Sequence, residues 1–198
     1  MMHEELWRRL IELEPQATAQ RAKCEYLGDS GSYKIVFLGG VFSVDLNNKQ
    51  ILRTEAGDKD NAAGFLEQLC ILAYLISARQ LPPAGKLVGP EKLKGGQFFF
   101  RGPHALPTDK LEKTFGREPE LLFRTAEKLN AVRCDFGDAS MRLFLFPRIP
   151  VTFVIWAGDD EFAARASILF DQTAGEQLPL DALGAAVNLA VDTLVKAV

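Results

Sequence analysis

The sequence has few of the residues that build metal centres and disulfide frameworks. Its three cysteines, Cys24, Cys70 and Cys134, lie far apart, are odd in number and form no C-x-x-C pair. Such a set favours neither a disulfide framework nor an Fe–S or zinc ligand set contained in this chain. A reducing cytoplasm fits this cysteine usage best, so we expect a cytoplasmic protein.

The chain also lacks a strong charge of one sign and a long apolar run. Lys and Arg number 23 against 26 Asp and Glu, for a net charge of -3, and there is no basic block, so no nucleic-acid partner is expected. The first residues carry two acids ahead of their arginines, unlike a signal peptide. The most apolar helix candidate, residues 62–78, is shorter than the ~20 residues of a bilayer span, so no membrane partner is expected.

Apolar residues are abundant enough for a sizeable core, because 47% of the chain is hydrophobic. At this length one domain over residues 1–198 is expected. Strand-like runs separated by Gly- and Asn-rich turns predict a meander at residues 24–27, 32–38, 41–46 and 50–53. Helical spacing predicts helices at residues 4–13, 15–23, 62–78, 108–115, 118–130 and 180–198. The predicted fold class is α+β, with an antiparallel sheet (N-terminal meander plus a 140–157 hairpin) covered by helices.

The hairpin is the most informative segment, since it joins two apolar runs through Pro147-Arg148-Ile149-Pro150. Proline has no N–H to give to a strand ladder, so both prolines are expected in the turn. A turn centred between Arg148 and Ile149 pairs Ser140 with Ala157 and brings Asp138 opposite Asp159. The sequence therefore predicts an acidic site at the end of the hairpin, with ligand or metal candidates Asp138, Asp159, Asp160 and Glu161.

Three interpretations of these acids stay open, beside a plain partner-binding surface. Asp159 or Asp160 caps a short helix that begins near Glu161. Alternatively, several carboxylates hold a hard cation, Mg²⁺ or Ca²⁺. In the third interpretation, apolar neighbours such as Trp156 and Phe162 raise the pKa of one carboxyl while another stays ionised, and the pair performs acid/base chemistry.

Four further residues are pocket candidates: Trp156, Phe162, Arg101 and His104. Trp156 alternates with inward-facing positions of its strand, which is more typical of a core residue than of a ligand platform. His104 follows Arg101 in a loop with Gly and Pro, where an exposed imidazole is more common than a general base.

The block at residues 146–162, followed by Ile168-Leu-Phe-Asp171 and Leu178-Pro-x-Asp181, resembles the prokaryotic domain of unknown function 3786 family. Phe115-Gly116 and Asp138-Ala-Ser140 also resemble its pattern. In other members this domain follows a cysteine-rich segment similar to the Fe–S segment of corrinoid proteins in anaerobic one-carbon metabolism. The present sequence lacks that segment, so the resemblance implies a cytoplasmic accessory or cofactor-handling role without cluster ligands.

These observations predict a non-redox binding or accessory domain that engages a small molecule or protein partner at the acidic end of the hairpin. One alternative is a small carboxylate-dependent hydrolase or lyase, assisted by a divalent metal. Another is a structural oligomerisation module, a homo-oligomer with an exposed apolar patch on the amphipathic C-terminal helix.

Overall fold

The computed structural model describes residues 2–54, 61–126 and 129–198, which form two five-stranded antiparallel sheets and eight α-helices. The predicted α+β class is confirmed. The helices are α1 (Met2–Ile11), α2 (Pro15–Ala22), α3 (Phe65–Ser77), α4 (Gly96–Phe99), α5 (Thr108–Phe115), α6 (Leu121–Ala126), α7 (Ala174–Gln177) and α8 (Leu180–Lys196). The strands are β1 (Glu25–Leu27), β2 (Ser32–Phe37), β3 (Gly40–Asp45), β4 (Gln50–Thr54), β5 (Asn61–Ala62), β6 (Leu87–Val88), β7 (Val132–Cys134), β8 (Ala139–Phe146), β9 (Ile149–Trp156) and β10 (Arg165–Asp171).

The first sheet is the predicted meander, with strand order β1-β2-β3-β4-β5. Strand β2 shows why it forms, since Tyr33, Ile35 and Phe37 are buried while Lys34 and Val36 between them are exposed. An alternation with period two turns one face of an antiparallel sheet toward the core and the other toward water. Strand β5 extends this sheet by pairing with β4, so α3 begins at Phe65 and not at the expected residue 62.

The second sheet has strand order β6-β10-β9-β8-β7 and contains the predicted hairpin as β8 and β9. Its central strand β9 is buried from Ile149 to Ile155, with β8 and β10 along its two edges and contacts from α5 and α7. In β8, Met141 and Leu143 are buried, whereas Arg142 and Phe144 are exposed on the opposite face. Helices α5, α6 and α8 contact the strands of this sheet.

The hairpin register differs from the predicted one. Ser140 pairs with Val154, three residues before the expected partner Ala157. The turn is Pro147–Arg148 alone, and Pro150 lies within β9 opposite Phe144, beside an irregularity between Phe144 and Phe146. A strand proline is tolerated at such an irregularity because the ladder is already interrupted there. The prediction that both prolines belong to the turn was therefore wrong.

An aromatic stack joins the two sheets through α3. The ring of Phe146 in β8 stacks on Tyr74 of α3 with 4.1 Å between centroids, and on Phe37 of β2 with 4.6 Å. A backbone hydrogen bond from Leu38 N to Leu145 O (3.0 Å) links the same two regions. Buried side chains of both sheets thus belong to a shared hydrophobic core.

The predicted C-terminal helix is confirmed as α8, which buries Leu183, Val187, Val191 and Leu194. The helix predicted over residues 118–130 corresponds to α6, which begins at Leu121; residues 127–128 of that prediction lie outside the described residues. Within the described ranges, no helix combines the length and apolar character of a membrane span.

Candidate functional site

A groove lies at the end of the hairpin, where residues 157–164 turn back against the C-terminal end of α5. Its volume is about 740 Å³, and the charged and aromatic side chains that line it are Glu112, Lys113, Arg117, Asp159, Asp160 and Phe162. We call it the hairpin-end groove.

The two walls of the groove are held together through the backbone. Gly158 N donates a hydrogen bond to Gly116 O at 3.0 Å, and Glu112 Oε1 accepts one from Ala166 N at 3.1 Å. A Cβ at Gly116 would overlap the Cβ of Ala164 and the carbonyl oxygen of Glu112, so only glycine allows this approach of helix and loop. The groove is therefore a fixed feature of the packing between α5 and the strand connection.

Asp159 closes the tight turn that forms one rim of the groove. Its Oδ1 accepts hydrogen bonds from Phe162 N (2.7 Å) and Glu161 N (2.9 Å), while Asp159 N donates to Phe162 O (2.9 Å). The backbone N–H groups of Phe162 and Glu161 lower the pKa of Asp159. Capping was expected at a helix start, but Asp159 caps a turn within a loop. Its lowered pKa suits the carboxylate that stays ionised in the acid/base interpretation, and not the carboxyl whose pKa is raised.

Only two of the four predicted acids lie at the hairpin-end groove. Asp159 and Asp160 line the groove, whereas Asp138 and Glu161 do not. Asp138 Oδ2 accepts from Ala157 N at 2.7 Å and thereby ties the start of β8 to the end of β9. Asp138 is not aligned with Asp159 as predicted, because Asp138 N donates to Ile155 O (2.9 Å). Residues 2–54, 61–126 and 129–198 contain no group of three or more His, Cys, Asp or Glu placed to hold a metal ion.

The four pocket candidates do not lie together in the structure. Phe162 is 70% exposed at the groove, while Trp156 is 39% exposed at the end of β9, with the Arg165 guanidinium 5.9 Å from its ring centroid. Trp156 is thus not the core residue expected from strand alternation, because it is the last residue of β9 and pairs with the exposed Arg165. Arg101 and His104 do not line the groove; both are exposed, and the His104 ring stacks on Phe99 at 4.7 Å.

Sequence reasoning missed a second concavity, on the outer face of the second sheet. It has a volume of about 410 Å³ and is lined in part by Arg142, Phe144 and Thr152. The one signal in the sequence was Arg142, a charged residue within the apolar run of β8. Without the register of β8 and β9, that residue alone did not reveal what lies opposite it.

The profile of the family described as Domain of unknown function (DUF3786) matches residues 14–193 of the 198-residue chain. The chain belongs to the DUF3786 family. The resemblance seen in its sequence motifs is thereby confirmed. Two segments that carried the resemblance in this DUF3786 chain, Phe115-Gly116 and residues 158–162, meet at the hairpin-end groove. No curated protein and no solved structure matches the chain.

Proposed function

We propose that this DUF3786 chain is a non-redox binding or accessory domain that holds a ligand or partner in the hairpin-end groove. The observation that carries the proposal is the combination of charges in one concave site. Asp160 of the loop and Lys113 and Arg117 at the end of α5 line the same groove, with the exposed ring of Phe162 beside them.

These charges are available to a ligand because the protein engages them little. Within the described part of the chain, the side chains of Asp160 and Arg117 make no hydrogen bond or salt bridge. Lys113 Nζ lies 3.4 Å from Asp109 Oδ2, an exposed pair of the kind that contributes at most about 1 kcal/mol. A ligand with one acidic and one basic group would therefore meet complementary charges, and its apolar part would contact Phe162.

Asp159 is unsuited to be the general acid of the acid/base alternative. A general acid that works near neutral pH needs a raised carboxyl pKa, whereas hydrogen bonds from the backbone lower the pKa of Asp159. The oligomerisation alternative expected an apolar patch on the C-terminal helix, but Val187, Val191 and Leu194 of α8 are buried within the chain itself.

The proposal is tested by thermal unfolding of metal-stripped protein with single probes: free amino acids, short peptides of mixed charge, and Mg²⁺, Ca²⁺ or Mn²⁺. A probe at about 100 times its Kd should raise Tm by roughly 5–10 °C for a chain of this size. The rise should disappear in the double variant Asp160→Asn, Arg117→Gln. Asp159 stays unchanged because it closes the turn.

A matched control is the double variant Asp29→Asn, Lys34→Gln, which removes one negative and one positive charge from exposed positions in β2 and the turn before it. This control should keep the full rise in Tm. A rise that persists in the groove variant would contradict the proposal. A rise that only divalent cations cause, and that the groove variant loses, would favour the metal-assisted alternative instead.

A further inference from the structure

The outer face of the second sheet brings together side chains that are distant in sequence. Arg142 of β8 pairs with Thr152 of β9, and Phe144 pairs with Pro150. Residues directly opposite each other in antiparallel strands point to the same face. Thr152 is also opposite Leu169 of β10, so it stands in the middle of this face.

Two chain segments turn this face into a pocket. Residues 83–87 form one wall and Phe136 the other, and the pocket volume of about 410 Å³ falls in the size range of small-molecule sites. We call it the outer-face pocket. The side chains that carry the inference are Cys134, Phe136, Arg142, Phe144 and Thr152.

Both walls are anchored by hydrogen bonds that their backbone N–H groups donate to buried side chains. Asp171, which is buried in β10, accepts from Ala84 N (3.0 Å) and Gly85 N (2.7 Å) and so fixes the first wall. On the other side, Phe136 N donates to the buried Ser140 Oγ at 2.9 Å. The pocket is thus built by specific contacts and is largely pre-formed.

Thr152 gives the pocket an unsatisfied polar group. The residue is 1% exposed, and its Oγ1 has no hydrogen-bond partner among the described residues. A buried hydroxyl without a partner is unfavourable, and buried polar groups in native proteins are normally paired. A ligand atom that reaches the floor of the pocket would supply the missing partner.

Arg142 gives the pocket a positively charged side chain. Its guanidinium has no hydrogen bond or salt bridge to residues 2–54, 61–126 or 129–198. Asp171 also borders the pocket, but both of its oxygens already accept hydrogen bonds from Ala84, Gly85 and Thr173. A guanidinium binds a carboxylate through two parallel N–H bonds.

The remaining surface of the pocket suits an apolar body. Phe136 is 46% exposed and Phe144 is 44% exposed, although large aromatic side chains gain most by burial. Leu87 and Pro150 add further apolar contact area. A ligand between the two rings would remove this surface from water.

We propose that the outer-face pocket binds a small organic acid. Its carboxylate pairs with Arg142, its apolar body lies between Phe136 and Phe144, and a polar substituent bonds Thr152 Oγ1. A monoanion is favoured over a phosphate, because the buried carboxylate of Asp171 repels additional negative charge. This site is separate from the hairpin-end groove, and the proposal does not depend on the function assigned there.

The test uses benzoate, 3-hydroxybenzoate and hexanoate as probes, with benzamide as the neutral match for benzoate and inorganic phosphate as a competitor. Affinity is measured by titration calorimetry or ligand-observed NMR. The second readout is the rate of Cys134 alkylation, since Cys134 is half-buried in the wall of the pocket. At least one acid should bind and slow alkylation, and benzamide should bind at least tenfold more weakly than benzoate.

Two variants separate the roles of the polar groups. Arg142→Gln should weaken acid binding by about 10- to 100-fold, the range expected for a charge-assisted hydrogen bond. Arg165→Gln, at an exposed position of the same sheet, should bind like wild type. Thr152→Val should leave the unliganded Tm unchanged or higher, because it removes an unpaired hydroxyl, and should weaken 3-hydroxybenzoate more than benzoate.

Three results would overturn the proposal. One is the absence of saturable binding for all three acids. Another is an affinity that Arg142→Gln leaves unchanged. The third is inorganic phosphate that binds more tightly than every acid, which would identify the site as a phosphate site. Since none of these measurements involves the groove residues, the two proposals fail or hold independently.

Discussion

Replacement of Asp171 is expected to be among the most destabilising single changes in the second sheet. Its side chain is 2% exposed and accepts four hydrogen bonds. Oδ1 accepts from Ala84 N (3.0 Å), Thr173 N (3.0 Å) and Thr173 Oγ1 (2.7 Å), and Oδ2 accepts from Gly85 N (2.7 Å).

The expected loss of unfolding free energy depends on which hydrogen-bond donors are rehydrated once the Asp171 carboxylate is removed. Ala84 and Gly85 are exposed, so their N–H groups are rehydrated when the wall detaches, whereas Thr173 is buried and loses its partner outright. With about 1.5–3 kcal/mol for a hydrogen bond to a charged group, we expect Asp171→Ala to cost about 3–5 kcal/mol of unfolding free energy. Asp171→Asn keeps one acceptor oxygen and loses the bond to Gly85, so it should cost only about 1–2 kcal/mol.

Urea unfolding at neutral pH measures both values, provided that the slope of free energy against urea is unchanged. Asp192→Asn is the matched control, because it removes an exposed carboxylate that pairs with Lys110 and should cost less than about 1 kcal/mol. The reasoning is refuted if both Asp171 variants are no less stable than the Asp192 control. It is also refuted if the Ala84 and Gly85 amides exchange with solvent unprotected in wild type.

The same carboxylate gives stability a pH dependence. Burial acts to raise the pKa of Asp171, but hydrogen bonds from Thr173, Ala84 and Gly85 outweigh it and lower the pKa. The unfolded chain therefore takes up the proton first, near pH 3.9, and the stabilisation is lost as pH falls further through the folded pKa. The unfolding free energies of wild type and Asp171→Asn should converge below about pH 4.

Two further predictions concern the groove and the thiols. Gly116→Ala should lower the unfolding free energy by about 1–3 kcal/mol through overpacking, with partial relief by Ala164→Gly in the same chain because the overlap with the Glu112 carbonyl remains. If urea unfolding gives Gly116→Ala the same unfolding free energy as wild type, the helix and the loop do not approach each other this closely. Burial raises the pKa of Cys24 and of Cys70 to about 12, so both thiols stay protonated at pH 8, and iodoacetamide should modify Cys134 first. Peptide mass spectrometry that finds Cys70 modified before Cys134 in native protein would contradict this.

Much of the fold was predictable because local patterns dictate it. The meander follows from strands with period two and short turns, and α8 follows from apolar residues at helical spacing that bury one face. The hairpin register was not predictable in this way. The two prolines flank a short turn symmetrically in sequence, and the irregularity that takes Pro150 into β9 depends on packing around Phe144 and Phe146.

That register error explains which site residues were found. Asp159, Asp160 and Phe162 follow one another in the chain, so local sequence sufficed to place them at one loop. The convergence of Asp138 with Asp159 required a register, and the assumed one was wrong. It also paired Arg142 with Ile155, which hid the true pairing of Arg142 with Thr152 and with it the outer-face pocket.

The stack of Phe37, Phe146 and Tyr74 joins the two sheets, so a spectroscopic probe in one part of the chain should report on the stability of the other. Because the two sheets share these rings, we expect them to lose structure in one cooperative transition. Trp7 is fully buried in α1 and contributes to the common core, so its emission should shift at that transition. A ligand in the outer-face pocket should raise the temperature of the whole transition by mass action. The emission of Trp7 in the first helix would then report whether a pocket on the second sheet is occupied.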